Sequence, residues 1–304
     1  MLLTFKKIFE SVQSSRRVGI EHLEKLKPVA FVKLIKELKA AGGKFTAENS
    51  EISLKVDGFG LRFGLDENNR FFLESSNSGP QFKDNAFTEY TKNKKGEVDK
   101  ISVAYDEIFK VLKSNKTLQS LLQQYNDGNG IKIICECLYN PIGEEIEEKI
   151  RFVSVKYDKK KLGKIATFVL IDVVDGNNRQ LDKKILDKIK KLITTDNYKF
   201  TDANIRLKKI DFSLEIEDLL KFIEKYPDFE TVVVSRKKKD KEIKNIIKST
   251  LVDYQHKMSA KIIQMIDDKK FGDEFEGIVV KFLDKKFKVI NKQDFSNKNK
   301  YRPE

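Results

Sequence analysis

The feature that most constrains the fold is a change to two-residue periodicity at residue 51. Residues 52–58 read Ile-Ser-Leu-Lys-Val-Asp-Gly. Successive side chains of a strand point to opposite faces of the sheet. The apolar positions are Ile52, Leu54 and Val56, and the polar positions are Ser53, Lys55 and Asp57. The segment therefore predicts a strand with one buried face and a lysine on its polar face.

Three further short motifs follow this lysine in order. They are Cys-Glu-Cys at 135–137, Glu-Gly-Ile-Val-Val-Lys at 276–281 and Lys-Phe-Lys at 286–288. With Lys-x-Asp-Gly at 55–58, this order resembles the covalent nucleotidyltransferases, which include ATP-dependent DNA and RNA ligases and mRNA-capping guanylyltransferases. The resemblance covers about residues 50–296. It implies an α/β (α+β) nucleotidyltransferase fold, with two antiparallel sheets around an ATP cleft.

The resemblance makes Lys55 the catalytic nucleophile, which attacks the α-phosphate of ATP and carries AMP as a phosphoramide. A lysine attacks only as the free amine, and its ordinary pKa is about 10.4. Neighbouring positive charge or desolvation must therefore lower that pKa. Asp57 and Gly58 complete the motif as nucleotide-binding positions, and the glycine lets the backbone turn closely beside the nucleotide.

The two C-terminal motifs are expected to handle the metal and the phosphates. Glu276 enters a mostly apolar strand, and its carboxylate suits Mg²⁺, which takes few carboxylates together with phosphate oxygens. Lys286 and Lys288 are two residues apart and share a strand face, so both are expected to neutralise phosphate charge in the transition state. Strict alternation places Lys281 on the opposite face from Glu276. Lys281 is therefore a weaker candidate for nucleotide binding than the other motif residues.

The ribose and base contacts are expected from the central motif and the strand after it. Glu136 resembles the glutamate that contacts the nucleotide ribose, and it should face away from the core if Cys135 and Cys137 face inward. Related ligases often have a base-stacking aromatic directly before the aspartate of 168–173, where this chain has Ile171. Phe168 and Phe152 are the candidate substitutes.

Two positions depart from the family pattern. An arginine often follows the lysine by five positions, but Gly60 occupies that place and Arg62 comes two residues later. Either Arg62 reaches a phosphate from there or the role has moved. The next motif usually carries an arginine, whereas residues 74–79 have none, which leaves Ser76 and Asn77 as neutral hydrogen-bonding groups.

The expected activity is ATP-dependent ligation of RNA or DNA ends through lysyl-AMP, with ATP and Mg²⁺ as cofactors. Three alternatives stay open: a capping-type guanylyltransferase, an inactive nucleic-acid-binding protein on the same scaffold, and adenylylation of a substrate other than nucleic acid. The net charge of +13, from 60 Lys and Arg against 47 Asp and Glu, suits a nucleic-acid partner, although an AT-rich genome also favours lysine codons. The basic stretches at 159–161 and 236–239 are expected to grip the phosphate backbone.

Composition argues against other classes of site. The only cysteines, Cys135 and Cys137, are too close for a disulfide and have no second pair to complete a zinc site. The only histidines, His22 and His256, lack metal-ligand spacing, which argues against histidine triads and zinc hydrolysis. No apolar run approaches the ~20 residues that span a bilayer. We expect a cytoplasmic protein without a membrane partner, in the host-cell cytoplasm if the protein is viral.

Periodicity predicts three regions. These are a helical N-terminal extension over 1–48, a nucleotidyltransferase domain over 49–296 with a charged helical insertion at 181–270, and a flexible tail over 297–304. Ser213 is expected to cap a helix that runs to Tyr226. Helices are predicted at 2–13, 28–41, 103–113 and 117–125, and strands at 51–57, 59–64, 70–75, 131–138, 150–157, 166–174, 277–283 and 286–290.

The family usually follows its last motif with an OB-fold domain that clamps the substrate. Only sixteen residues follow Lys288, too few for a five-stranded barrel. We therefore expect no OB-fold domain in this sequence. Sealing is then expected to depend on the lysine-rich segments at 1–48 and 181–270 or on a partner protein.

Overall fold

The computed structural model describes residues 20–56, 58–75, 78–98, 100–140, 158–192, 195–205, 209–266 and 276–290. These residues form two compact units. Those of the first unit lie within Met1–Lys55, Asn204–Lys270 and Glu276–Ser296, and those of the second within Val56–Ala203. The predicted helix at 2–13 and strand at 150–157 lie outside the described residues.

The strands that the structure describes are β1 Glu21–His22, β2 Lys44–Phe45, β3 Ser50–Lys55, β4 Phe59–Leu65, β5 Phe71–Ser75, β6 Ile131–Tyr139, β7 Ala166–Asp175, β8 Tyr198–Asp202, β9 Ile210–Asp211, β10 Gly277–Phe282 and β11 Lys285–Ile290. The α-helices are α1 Pro28–Ala40, α2 Ala86–Lys95, α3 Lys100–Ser114, α4 Lys116–Tyr125, α5 Lys184–Leu192, α6 Ser213–Glu224, α7 Phe229–Val234 and α8 Lys241–Gln264. No helix among the described residues combines the length and the apolar character that crossing a membrane requires.

The first unit is built on a four-stranded sheet in the order β1-β11-β10-β3. β10 pairs antiparallel with both β3 and β11, and β1 adds a parallel edge to β11. One face of the sheet is buried, and Ile52 and Leu54 lie on it as predicted. Phe45 of β2 packs edge-on against Phe212 and beside Phe282, with 5.1 Å between ring centroids in each pair.

The second unit is built on a five-stranded sheet in the order β5-β4-β6-β7-β8. β6 alternates buried and half-buried residues over 131–137, whereas β5 and β7 are buried along most of their length. Apolar side chains of α2, α3, α4 and α5 cover one face of this sheet. Side chains at the centre of this core include Phe63, Phe109, Leu118, Ile133, Phe168 and Ile189.

Both sheets are largely antiparallel, as expected, and each adds one parallel pair at an edge. β1 pairs parallel with β11, and β7 pairs parallel with β8. Both parallel partners are edge strands of two and five residues. Strands this short carry too little alternation to be separated from loop or helix, and β8 lies inside the segment predicted to be helical.

Ser213 does not cap the helix that follows it. It is the first residue of α6, and Phe212 precedes it without a side-chain cap. The Ser213 hydroxyl and backbone N–H instead both donate to Asp211 Oδ1, at 2.5 and 2.9 Å. Asp211 therefore satisfies this helix start, and the helix ends at Glu224, before Pro227.

Replacing Asp106 by alanine should lower the free energy of unfolding by about 1–3 kcal/mol, because two buried backbone donors lose their acceptor. Asp106 is 3% exposed and accepts the backbone N–H groups of Phe87 and Thr88 at 3.1 and 3.0 Å, at the start of α2. Chemical denaturation measures the loss. The control Asp196→Ala, whose side chain is 88% exposed, should change stability by less than about 0.5 kcal/mol. Equal losses of stability in the two variants would contradict the role of Asp106 as a cap of α2.

Candidate active site

Lys55 and Glu276 form an ion pair at the end of two paired strands. Lys55 is the last residue of β3 and lies opposite Gly277, the first residue of β10. This register brings the preceding residue, Glu276, beside the lysine, and the Lys55 ammonium donates to Glu276 Oε2. The lysine side chain keeps 25% of its surface exposed and the glutamate 10%. The structure thus joins two motif residues that are far apart in the sequence.

Gly277 occupies a position where no other residue fits. A Cβ at this position would lie 2.2 Å from the carbonyl oxygen of Val289 on β11. Any side chain would therefore push β10 away from β11 or β3. The glycine of the Glu-Gly motif keeps the three strands at sheet spacing where Glu276 meets Lys55.

Lys288 lies on the same sheet face as Lys55. It is opposite Val279 of β10, which in turn is opposite Ser53 of β3. Burial lowers the pKa of Lys288, and the positive charges of Lys55 and Lys25 lower it further, whereas Glu276 opposes the shift. Lys288 is therefore electrically coupled to both members of the ion pair.

Lys286 shares the face of Lys288, as predicted, but its surroundings differ. It is exposed and lies opposite Lys281 of β10. Two residues along a strand correspond to about 7 Å, so Lys286 is displaced by that distance from Lys288. The two lysines of the motif are therefore not equivalent.

The predicted face of Lys281 is wrong. Its Nζ lies 3.4 Å from Glu51 Oε1, and Glu51 shares the polar face of β3 with Lys55. Alternation failed as a guide because Glu276 precedes β10 and is not bound by the strand's geometry. Lys281 nevertheless lies at the other end of β3 from Lys55, opposite Glu51.

His22 and Lys25 join this cluster, although sequence reasoning did not select them. His22 of β1 is opposite Lys288 in the parallel register, and a 3₁₀ turn at Leu23–Lys25 follows directly. Burial lowers the pKa of His22, helped by the positive charges of Lys288, Lys25 and Lys55 and opposed by Glu24. A two-residue strand with a distant partner leaves no periodic signal, so the sequence offered no way to find this contact.

The second unit holds the other motif residues. Gly58 lies against β6, where a Cβ would be 2.5 Å from the carbonyl oxygen of Cys137. The close approach explains the glycine of the Lys-x-Asp-Gly motif. Asp57, Ser76 and Asn77 lie outside the described residues.

Arg62 is held by a carboxylate within its own sheet. Its Nη1 donates to Glu74 Oε1 at 2.7 Å, across the β4–β5 pair. Lys132 lies 3.8 Å from the other oxygen of Glu74 and donates to Asn178 Oδ1 at 3.4 Å. The expected phosphate ligand is therefore part of an Arg62–Glu74–Lys132 network in this structure.

Glu136 lies on the sheet face predicted for it. Cys135 and Cys137 are 1% and 0% exposed and belong to the core, while Glu136 between them is half-buried on the other face, opposite Gly60. Burial raises the pKa of both thiols. The cysteines are thus inert core residues, and their spacing fixes the direction of Glu136.

Phe168 is a core residue, which corrects its expected role in base stacking. It is 0% exposed, and its ring lies 5.0 Å from that of Phe200 and 6.5 Å from that of Phe63. A ring covered in this way has no free face for a base. The register shifts between Ile134 and Cys135, so Ile171 is the extra residue of a β-bulge in β7 and is 43% exposed. Phe152 lies outside the described residues.

The second unit has a cavity of about 210 Å³. Its lining includes Arg70 of the β4–β5 turn, Phe72 of β5, Lys132 of β6 and Phe82. Arg70 is bonded to Asp66 at 2.7 Å, and its guanidinium lies 4.6 Å from the Phe82 ring centroid. These charges satisfy each other and brace the turn, so we assign the cavity no chemistry.

Glu276 is the residue of the first unit that fits a divalent cation. Its carboxylate lies beside Lys55 and Lys288 and is 8% exposed as a residue. No group of three or more potential His, Cys, Asp or Glu ligands occurs among the described residues. This donor set suits Mg²⁺, which takes one or two carboxylates and completes its shell with phosphate oxygens and water.

Comparisons with known proteins returned structural likenesses alone. The chain matches no protein-family model and no curated protein. An RNA ligase from Naegleria gruberi in an apo variant form is similar at 16% identity and a TM-score of 0.46. The same ligase with AMP and Mn is similar at 16% and 0.44, and with PPi at 14% and 0.44.

Each of these three matches covers 94% of this chain and 58% of the ligase chain. The chain thus spans less than two thirds of the length of the structures it resembles. Likeness at TM-scores below 0.5 supports no assignment of activity. An activity must therefore be inferred from the arrangement of Lys55, Glu276 and Lys288.

His22 should make stability fall as the pH drops from 7 to 5. Its pKa is lowered in the folded state, so the unfolded chain takes up a proton near its ordinary pKa of about 6.5 while the folded chain resists it. His22→Asn should reduce the fall in Tm over this interval, and Lys25→Gln should reduce it less. Scanning calorimetry at both pH values measures this effect, and an unchanged pH dependence in His22→Asn would contradict it.

Proposed function

We propose that the chain is an ATP-dependent polynucleotide ligase that works through a covalent lysyl-AMP intermediate on Lys55. The observation that carries the proposal is the pairing of Lys55 with Glu276, with Lys288 on the same sheet face. Two cationic groups and one carboxylate are placed together by β3, β10 and β11, which is the chemistry that a nucleophile, a metal ligand and a phosphate ligand require.

In the first step, Nζ of Lys55 attacks the α-phosphorus of ATP. A bond from nitrogen to phosphorus forms, the bond from that phosphorus to the bridging oxygen breaks, and pyrophosphate leaves. The Lys55 ammonium must first release a proton to the solvent that reaches its partly exposed side chain, because an ammonium group has no lone pair. Glu276 accepts the hydrogen bond of the Lys55 ammonium and holds Nζ in a fixed position before attack.

We assign to Lys288 the role of neutralising the negative charge of the phosphates. Burial lowers the pKa of Lys288, and Lys55 and Lys25 lower it further because their positive charges repel its ammonium. An anion placed against this face would relieve that repulsion. Preorganised positive charge of this kind stabilises phosphoryl transfer most where charge develops in the transition state.

Glu276 would also hold the divalent cation. When bound, Mg²⁺ supplies positive charge to the phosphate oxygens. Glu276 thus has two possible partners, the Lys55 ammonium and the cation. Its position directly before β10 and beside Gly277 fixes the carboxylate for either one.

Two further steps complete ligation in this proposal. The 5′-phosphate of a polynucleotide attacks the lysyl-AMP phosphorus and releases the Lys55 amine. A 3′-hydroxyl then attacks the activated 5′-phosphate, forms the phosphodiester and displaces AMP. Sealing assays with RNA ends and with DNA ends, run in parallel, determine which polymer is the substrate.

The chain incubated with α-labelled ATP and Mg²⁺ should acquire a label that survives denaturing electrophoresis. Lys55→Ala and Lys55→Arg should both abolish it, because arginine keeps the charge but presents no free amine at accessible pH. Labelled GTP serves as the competing nucleotide and separates a capping-type activity. A normal yield of adduct on either variant would exclude Lys55 as the nucleophile.

Lys288→Ala should slow adduct formation by about 10²-fold or more, the scale of one lost preorganised charge contact. Lys286→Ala should slow it less, because Lys286 is exposed and lies opposite Lys281. Single-turnover adenylylation rates measure both variants at saturating ATP. A larger loss in Lys286→Ala, or in Lys281→Ala, would show that phosphate is bound at the other end of this sheet face.

A further inference from the structure

A basic turn connects two helices of the first unit. α7 ends at Val234 and α8 begins at Lys241. Arg236, Lys237, Lys238 and Lys239 between them are all exposed. From 234 to 248 the sequence has seven basic residues and two acidic ones, so this short segment contributes +5 to the net charge of +13. We call residues 235–240 the basic turn.

Side chains brace the backbone of the basic turn at both ends. The Ser235 hydroxyl donates to Asp240, and the backbone N–H of Lys237 donates to Ser235 Oγ at 3.1 Å. Lys244 of α8 reaches back and donates to the Ser235 carbonyl at 2.6 Å. The backbone that carries the four cations is therefore fixed before any partner arrives, which lowers the entropy lost on binding.

Three exposed aliphatic side chains flank the basic turn. Val234 is 69% exposed, Ile243 40% and Ile246 44%. Ile243 and Ile246 lie within one turn before Ile247, where the buried apolar stripe of α8 begins. Ile243 and Ile246, in the first two turns of α8, present apolar side chains to solvent next to the basic turn.

Exposed cations next to exposed aliphatic side chains suit a polyanion that also offers apolar surfaces. A single-stranded nucleic acid has both, since its phosphates lie along the backbone and its bases expose flat faces. An anionic membrane fits less well, because interfacial helices bury a broad apolar face. Here Ile247, Leu251 and Met258 are buried within the protein's own fold.

We propose that the basic turn, with Val234, Ile243 and Ile246, binds a single-stranded segment of the polynucleotide substrate. Phosphates contact Arg236–Lys239, and bases pack on the three aliphatic side chains. This inference rests on the proposed ligase function, because only that function makes the bound polynucleotide a substrate. It assigns the docking of that substrate to a surface that includes none of the proposed nucleotide-binding residues.

The test compares three variants of the full chain with wild type. The first replaces Arg236, Lys237, Lys238 and Lys239 by glutamine. The second is a matched control in which four exposed lysines of the same unit, in or next to helices, are replaced by glutamine. These are Lys33, Lys36, Lys221 and Lys225. The third replaces Ile243 and Ile246 by serine. Fluorescence anisotropy with single-stranded and duplex oligonucleotides of RNA and of DNA, over a salt series, measures binding.

The basic-turn variant should bind single strands at least about tenfold more weakly at low salt. The slope of log affinity against log salt should fall by up to about 3, since each lost phosphate contact contributes about 0.7. The control should keep most of the affinity. The serine variant should lose several-fold affinity for single strands with an unchanged salt slope and an unchanged affinity for duplexes. All three should form lysyl-AMP at the wild-type rate.

Several results would overturn the inference. These are wild-type affinity in the basic-turn variant, an equal loss in the control, and binding to vesicles with anionic lipid but not to oligonucleotides. Loss of single-strand binding in the basic-turn variant, together with no lysyl-AMP in wild type, would reject the ligase proposal and retain the binding surface. Normal lysyl-AMP with wild-type binding in the basic-turn variant would reject the surface and retain the nucleotidyl transfer.

Discussion

The pairing of β3 with β10 is the constraint on which the candidate site depends. It sets Lys55 opposite Gly277, so the residue before β10 meets the lysine at the end of β3. Gly277 makes this possible, because any side chain there would collide with the Val289 carbonyl. A shift of this register by one residue would turn Lys55 toward the core and Leu54 toward the ion pair. The chemistry of the site is thus set by backbone hydrogen bonds between segments that are distant in sequence.

Several positive charges lie around this ion pair. Lys288 and Lys25 add positive charge near Lys55, and burial together with these lysines lowers the pKa of His22. Taking charged groups out of water is costly unless they are paired. Glu276 compensates one cation, and a phosphate on the same face would compensate another. In the proposed function, a nucleotide phosphate would relieve this repulsion, and the proposed role of the basic turn assigns a longer polyanion to a separate surface.

Particular residues show where sequence reasoning succeeded and where it failed. Alternation correctly placed Lys55, Glu136 and both cysteines, because each lies inside a strand with one buried face. It failed for Lys281 because Glu276, its reference point, lies outside the strand. Phe168 was chosen by residue type and by distance from an aspartate, but a bulge at Ile171 changes the register of β7 and Phe168 packs in the core. His22 entered the cluster through a two-residue edge strand, which has no periodic pattern.

The sequence by itself determined the local elements and the order of the motifs. Two-residue periodicity identifies β3, β4, β6 and β10, and the apolar faces of these strands follow from it. Tertiary structure alone decided which polar side chains meet: Lys55 with Glu276, Lys288 with His22, and Arg62 with Glu74. The physical reason is that alternation fixes the face of a side chain but not its neighbour across the sheet. That neighbour depends on strand order and register, which arise from long-range packing.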